Sequence, residues 1–189
     1  FAATVVGPTL QPIRESFGLG LAELGLIFPF TAVGYVVSSL IGSVASDRYG
    51  RRPFVIAGTT SIAAGIAVMA LAPAWSVLLL GGVIAGFGMG LLDGPLNAYI
   101  VDMAPDGAAK WLNFLHLFFG IGALTGPILT GIALARDVDW RLIYSVVALV
   151  GFTTTVPFAF LRISNANSGR PPSLAVMRRS AVQPIVLLM

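Results

Sequence analysis

A bundle of membrane-spanning helices is the fold class this sequence predicts, and three observations predict it. Of its 189 residues, 57% are hydrophobic and 10% charged, with a mean hydropathy of +0.91, whereas a soluble domain carries about 25% charged residues. The apolar residues fall into five stretches of 18 or more, plus two shorter ones, and about 20 residues at ~1.5 Å rise cross a bilayer core of ~30 Å. Trp75, Trp111 and Trp140 all stand at the ends of those stretches, where an interfacial aromatic belt places them. The expectation is an all-α polytopic membrane protein in contact with the lipid bilayer. The absence of cysteine excludes disulfides and thiolate metal sites. A net charge of +3 spread over several loops fits loop orientation and no nucleic-acid partner.

Residues 1–161 read as a transmembrane bundle. The first apolar run, 1–13, is too short to span and has no basic segment before it, so it reads as a truncated first helix rather than a signal peptide. After the polar break Arg14–Gly20, a second helix is predicted over 21–46. The charged segment Asp47–Arg52 ends it, and Pro53 suits the first turn of a third helix, 53–72, where its missing N–H costs nothing. Pro73-Ala74 makes a tight hairpin into a fourth helix, 75–101. A loop with two acids, a proline and a glycine leads to a fifth helix, 111–135, and Arg136–Asp139 to a sixth, 140–161. Residues 162–180 are polar and contain Pro171-Pro172, so they read as a linker, and 181–189 as the start of a truncated seventh helix.

Lysine and arginine orient the bundle, because positive loops stay cytoplasmic. Alternate loops hold eight basic residues (Arg48, Arg51, Arg52, Lys110, Arg162, Arg170, Arg178, Arg179) against three (Arg14, Arg136, Arg141). Loops 47–52, 102–110 and 162–180 are therefore expected in the cytoplasm, with the protein in a plasma or inner membrane. Gly82, Gly86, Gly90 and Gly94 on the fourth helix, and Gly34, Ser38, Gly42 and Ser46 on the second, recur every four residues. Such stripes let helix backbones approach where lipid supplies no hydrophobic drive.

Between the second and third helices runs Gly42-Ser43-Val44-Ala45-Ser46-Asp47-Arg48-Tyr49-Gly50-Arg51-Arg52. It resembles the cytoplasmic signature loop of the major facilitator superfamily, with Ser43 where that family usually has glycine; a basic anchor on anionic headgroups is the plainer alternative. The resemblance implies the N-terminal six-helix half of a twelve-helix fold with 3+3 inverted repeats, partnered by the C-terminal half. It also implies a conformational latch of Asp47, Arg48, Gly50, Arg51, Arg52 and Asp102. Asp47 is poorly placed against its own helix dipole and better placed facing the N-terminus of a helix in the other half; Gly50 permits the turn; Arg51 or Arg52 can reach Asp102.

Helices four to six carry Leu92-Asp93-Gly94-Pro95-Leu96-Asn97, Leu112-Asn113-Phe114-Leu115-His116, Phe119-Gly120-Ile121-Gly122-Ala123 and Trp140-Arg141. This is similar to the fucose, galactose and glucose proton-symporter branch, in which the acid matched by Asp93 and the asparagine matched by Asn97 serve proton coupling and sugar binding. The acid that fucose-type members carry before a first-helix proline has no counterpart ahead of Pro8. Gly122-x-x-x-Gly126-Pro127-x-x-Thr130-Gly131 partly resembles the motif of proton-coupled drug antiporters, and Gly126-Pro127 alone would bend the helix. Sugar uptake by symport and efflux of a drug or metabolite are the two functions implied, each with a small solute and a proton as ligands.

Of eight acids only Asp93 lies well inside a predicted span, as does the one histidine, His116. An ionisable group at a helix centre costs about 2.5–3.5 kcal/mol on insertion scales, so one retained there usually faces a watery cavity. Both are predicted about 12–14 Å deep at ~1.5 Å per residue, with Asn97 and Asn113 on the same faces as Asp93 and His116 respectively. Asp93 and His116 are candidates for proton coupling, Asn97 and Asn113 for solute binding; His116 reads equally as a neutral imidazole bridging helices. No metal cluster, nucleophile elbow or phosphate loop accompanies them, so neither an enzyme nor a cofactor is expected.

Overall fold

The computed structural model describes residues 4–160. The predicted linker 162–180 and seventh-helix segment 181–189 lie outside the described residues. Those described form α1 (Val6–Phe17), α2 (Leu21–Gly25), α3 (Ile27–Tyr49), α4 (Arg51–Ala70), α5 (Trp75–Met103), α6 (Ala108–Leu134) and α7 (Trp140–Phe160). No strand occurs among them. Among the described residues five spans are long and apolar enough to cross a membrane, the first being Leu21–Tyr49 taken as one unit.

Three predicted helices need correction. The first helix does not stop at Ile13 but runs to Phe17, where Gly18 takes the left-handed conformation (φ 63°) and its N–H returns to the Arg14 and Glu15 carbonyls. Arg14 and Glu15 form the helix's last turn rather than a break: Gln11 donates to Glu15 at 2.6 Å, and the Arg14 side chain donates to the Leu19 carbonyl at 3.1 Å. The second helix, expected unbroken over 21–46, is interrupted at Leu26 and continues to Tyr49. Pro29 causes the interruption, because it offers no N–H to the Gly25 carbonyl and its ring crowds that carbonyl. The third helix starts two residues early, at Arg51, which leaves Pro53 in the first turn, where N–H groups have no helical partner in any case.

Packing follows the glycines. α5 lies between α3 and α4, α4 lies in turn against α7, and α5 is the most enclosed span while α6 is the least. A Cβ on Gly34 or Gly86 would overlap the backbone of the facing helix, Val83 and Thr31 respectively. On the other face of α5, a Cβ on Gly88 would lie 2.5 Å from the Ile62 nitrogen, and one on Gly81 2.8 Å from the Gly65 carbonyl. α5 thus presents bare backbone to both neighbours, which is how helices attract in lipid.

The apolar core lies at the end opposite to Asp47–Arg52, where Leu24, Ile27, Met69, Leu78, Trp140 and Tyr144 are all buried. Arg141 closes it. Its guanidinium donates to the Ala70 and Ala72 carbonyls at 3.1 and 2.7 Å, satisfying the C-terminus of α4, and stacks 4.6 Å from the Trp140 ring centre. Arg141→Met keeps the stem and removes the donors, so it is expected to lower stability by roughly 1–2 kcal/mol, read as a fall in the midpoint of thermal unfolding in detergent.

Candidate functional site: a carboxyl between two donors

Asp93 sits on α5 and is exposed. Its two oxygens have separate partners: the Tyr35 hydroxyl on α3 donates to Oδ2 at 2.9 Å, and Asn97 Nδ2, one turn along α5, donates to Oδ1 at 3.2 Å. Asn97 Oδ1 is buried with no hydrogen-bond partner among the described residues. Gly34 and Ser38 set the position of Tyr35. They flank it on α3 and lie buried against α5, Gly34 on Val83 and Phe87 and Ser38 on Gly90. An exposed carboxylate held by donors on both oxygens can take up a proton and can accept hydrogen bonds from a hydroxylated ligand. Asp93 and Asn97 follow from their i, i+4 spacing; Tyr35 did not figure in the sequence reading, because its contact depends on how α3 is set against α5.

Nine residues further along α5 is a second polar cluster. Arg51 Nη1 donates to both the Asp102 carboxylate and the Ala98 carbonyl, while its Nη2 lies 4.0 Å from Asp47 Oδ1. Of the two arginines proposed from sequence to reach Asp102, Arg51 does so; Arg52 is half-buried beside it. Gly50 has φ 86° and ψ 155°, a region essentially reserved for glycine, so α3 passes into α4 in one residue and Arg51 points back at α5. Asp47 is 74% exposed, free to meet a group outside this bundle. Arg48 stacks on Tyr49, 5.4 Å from its ring centre.

His116 and Asn113 are both exposed on α6. Asn113 lines a groove of 460 Å³ with Lys110, Phe114 and Leu117. No hydrogen bond or ion pair joins His116 to Asp93 among the described residues; equal depth did not bring them together. Gly126 is buried and Pro127 half-buried, and α6 runs unbroken through both. A separate apolar cavity of 350 Å³ opens among α1, α3, α4, α5 and α7, with Tyr35, Phe28, Met89 and Tyr144 in its wall.

The family model described as the Major Facilitator Superfamily matches residues 1–188. The chain belongs to the major facilitator superfamily. Membership in that superfamily and five described helices long and apolar enough to cross a bilayer make it part of an integral membrane protein. Among curated relatives it is 27% identical to the mouse sodium-dependent glucose transporter 1A over 70% of this chain and 31% of that one. It is 30% identical to the Arabidopsis thaliana D-xylose-proton symporter-like 2 over 82% of this chain and 29% of the relative. To the multidrug resistance protein MdtH of Cronobacter sakazakii it is 34% identical over 72% of this chain and 34% of the relative. The chain spans about a third of the length of the curated relatives it matches.

Proposed function

We propose that the protein takes up a sugar-like solute together with a proton by alternating access, as the N-terminal bundle of a two-half transporter. The observation that carries this reading is Asp93: an ionisable group inside a span, exposed, and gripped by Tyr35 and Asn97. Asp93 is the proton site, and Asn97, bonded to it one turn along α5, helps to hold the solute beside it. Relatives named for glucose and for xylose–proton symport support the solute class. Asn113 and His116 stand on α6, where they would contact solute or proton only if α6 draws closer to α5. Loops 47–52 and 102–110 are cytoplasmic by their charge. The decisive measurement is uptake by full-length protein in proteoliposomes, screened with D-glucose, D-xylose and D-galactose, with and without an inward proton gradient and with sodium added or withheld. Uptake of a sugar driven by the proton gradient is the expected result; sodium-driven uptake would remove Asp93 from its assigned role.

A second reading, proton-coupled efflux of an apolar compound, draws on the MdtH relative and on the apolar wall of the 350 Å³ cavity. It expects the same vesicles to move a hydrophobic cation against the proton flow and to ignore the sugars.

The Arg51 cluster acts on the conformational equilibrium and not on the solute. Asp102→Asn or Asp47→Asn is expected to slow net transport about tenfold, within the usual range of a coupling free energy. Solute affinity measured in one trapped conformation should stay within about twofold, since neither residue reaches the Asp93 site. A parallel fall in affinity and rate would remove the latch from this account.

A further inference from the structure

Tyr35 faces two ways. Its hydroxyl donates to Asp93 at 2.9 Å, while the residue lines the 350 Å³ cavity beside Thr31 and Met89. Its helix cannot easily shift, because Gly34 and Ser38 on either side are buried against the α5 backbone. One hydroxyl hydrogen can serve one strong acceptor at a time. A charged carboxylate is roughly twice as strong an acceptor as a neutral group, so the charged form of Asp93 keeps that hydrogen and the protonated form competes for it weakly.

We propose that Tyr35 links proton and solute: its hydroxyl is committed to Asp93 while that carboxyl is charged, and is released to donate to a solute oxygen at the cavity wall once Asp93 carries the proton. The inference rests on the reading of Asp93 as the coupling site. Proton binding then raises solute affinity by freeing a donor already in place, and by reciprocity solute binding raises proton affinity. The groups bonded to Asp93 are Tyr35 from α3 and Asn97 from α5 itself; further along α5 stands Asp102, paired with Arg51 of α4, and α6 offers His116, which makes no bond to it. Among the described residues no ion pair reaches Asp93, so its acceptor strength changes with its own protonation.

The test is equilibrium binding of D-glucose, D-xylose and D-galactose to full-length protein at acid and at neutral pH, in four forms: wild type, Tyr35→Phe, Asp93→Asn and the double variant. Wild type is expected to bind one of these sugars about tenfold more tightly at acid pH. Asp93→Asn should bind tightly at both, Tyr35→Phe weakly at both, and the double variant weakly at both, because the donor freed by the neutral side chain is gone. Tyr35→Phe that keeps the acid enhancement overturns the Tyr35 link alone. Asp93→Asn that keeps it overturns the coupling role of Asp93, and the link with it. Tyr35→Phe that unfolds, judged by its thermal midpoint, makes the residue structural and also overturns the link. Binding of none of the three sugars by wild type overturns the sugar reading itself.

Discussion

Asp93→Asn in the reconstituted full-length protein is expected to abolish accumulation of solute against its gradient while leaving exchange at equal concentrations on the two sides. The amide has nearly the shape of the carboxyl and carries no charge, so it stands in for the protonated state. A ligand shifts a two-state equilibrium only through its differential affinity for the two states. On the proposed reading the proton is such a ligand in the wild type, since enclosing a bare carboxylate costs several kcal/mol more than enclosing a neutral acid. With asparagine that difference vanishes, and the loaded carrier still reorients, but the pH gradient has nothing to act on. The accumulation ratio should fall to about one, while the exchange rate stays within a few-fold of wild type. Both are read in one vesicle preparation. A mutant that still concentrates solute at acid outside pH would pass the proton role to His116 or to residues beyond this bundle.

The second large effect concerns folding. A methyl group on Gly86 would overlap the carbonyl and Cα of Thr31 on α3. Those are backbone atoms of a helix, so no rotamer change relieves the overlap and the helices must part. Parting them also loosens Gly34 against Val83 and Gly90 against Tyr35 and Ser38. Overpacking a well-filled interior costs about 1–3 kcal/mol, and with several contacts moving together Gly86→Leu should exceed about 3 kcal/mol. It is expected to yield little monodisperse protein after mild heating. Gly120→Ala and Gly131→Ala on α6 are the controls: a Cβ at either meets nothing within 4 Å, so their stability should stay within about 0.5 kcal/mol of wild type. Equal heat resistance in Gly86→Leu and the controls would mean that α3 and α5 are not packed as described.

Much of the fold was legible because membrane solvent leaves few options: a long apolar stretch must be a helix, and a four-residue glycine repeat must face a neighbour. The Asp47–Arg52 segment was legible for a similar reason, since its glycine and charges have little use other than a tight, polar crossing between helices. The breaks were harder to see. Arg14 and Glu15 read as a boundary because charge suggests water, yet a helix keeps charged residues in its last turn readily, and Gly18 held the better signal. Pro29 likewise announces the interruption at Leu26, four residues after the carbonyl it crowds.

The site was legible only within single helices. Spacing put Asp93 and Asn97 on one face, and depth put Asp93 and His116 at one level, but neither tells which way two helices are turned towards each other. That rotation decides that Asp93 meets Tyr35 on α3 and not His116 on α6. A tyrosine in an apolar span reads as packing until its neighbour is known.

The glycines of α5 also restrict how this bundle can move. Teeth on both sides, engaged with α3 through Gly86 and Gly90 and with α4 through Gly81 and Gly88, resist sliding: a slip of one residue, about 1.5 Å, drives a side chain into a backbone. Axial shear between these three helices is therefore blocked, and they must travel as one plate. If the protein works by alternating access as proposed, the motion that opens and closes the pathway is rotation of that plate as a whole, with α6, lightly held, as the element free to trail behind it.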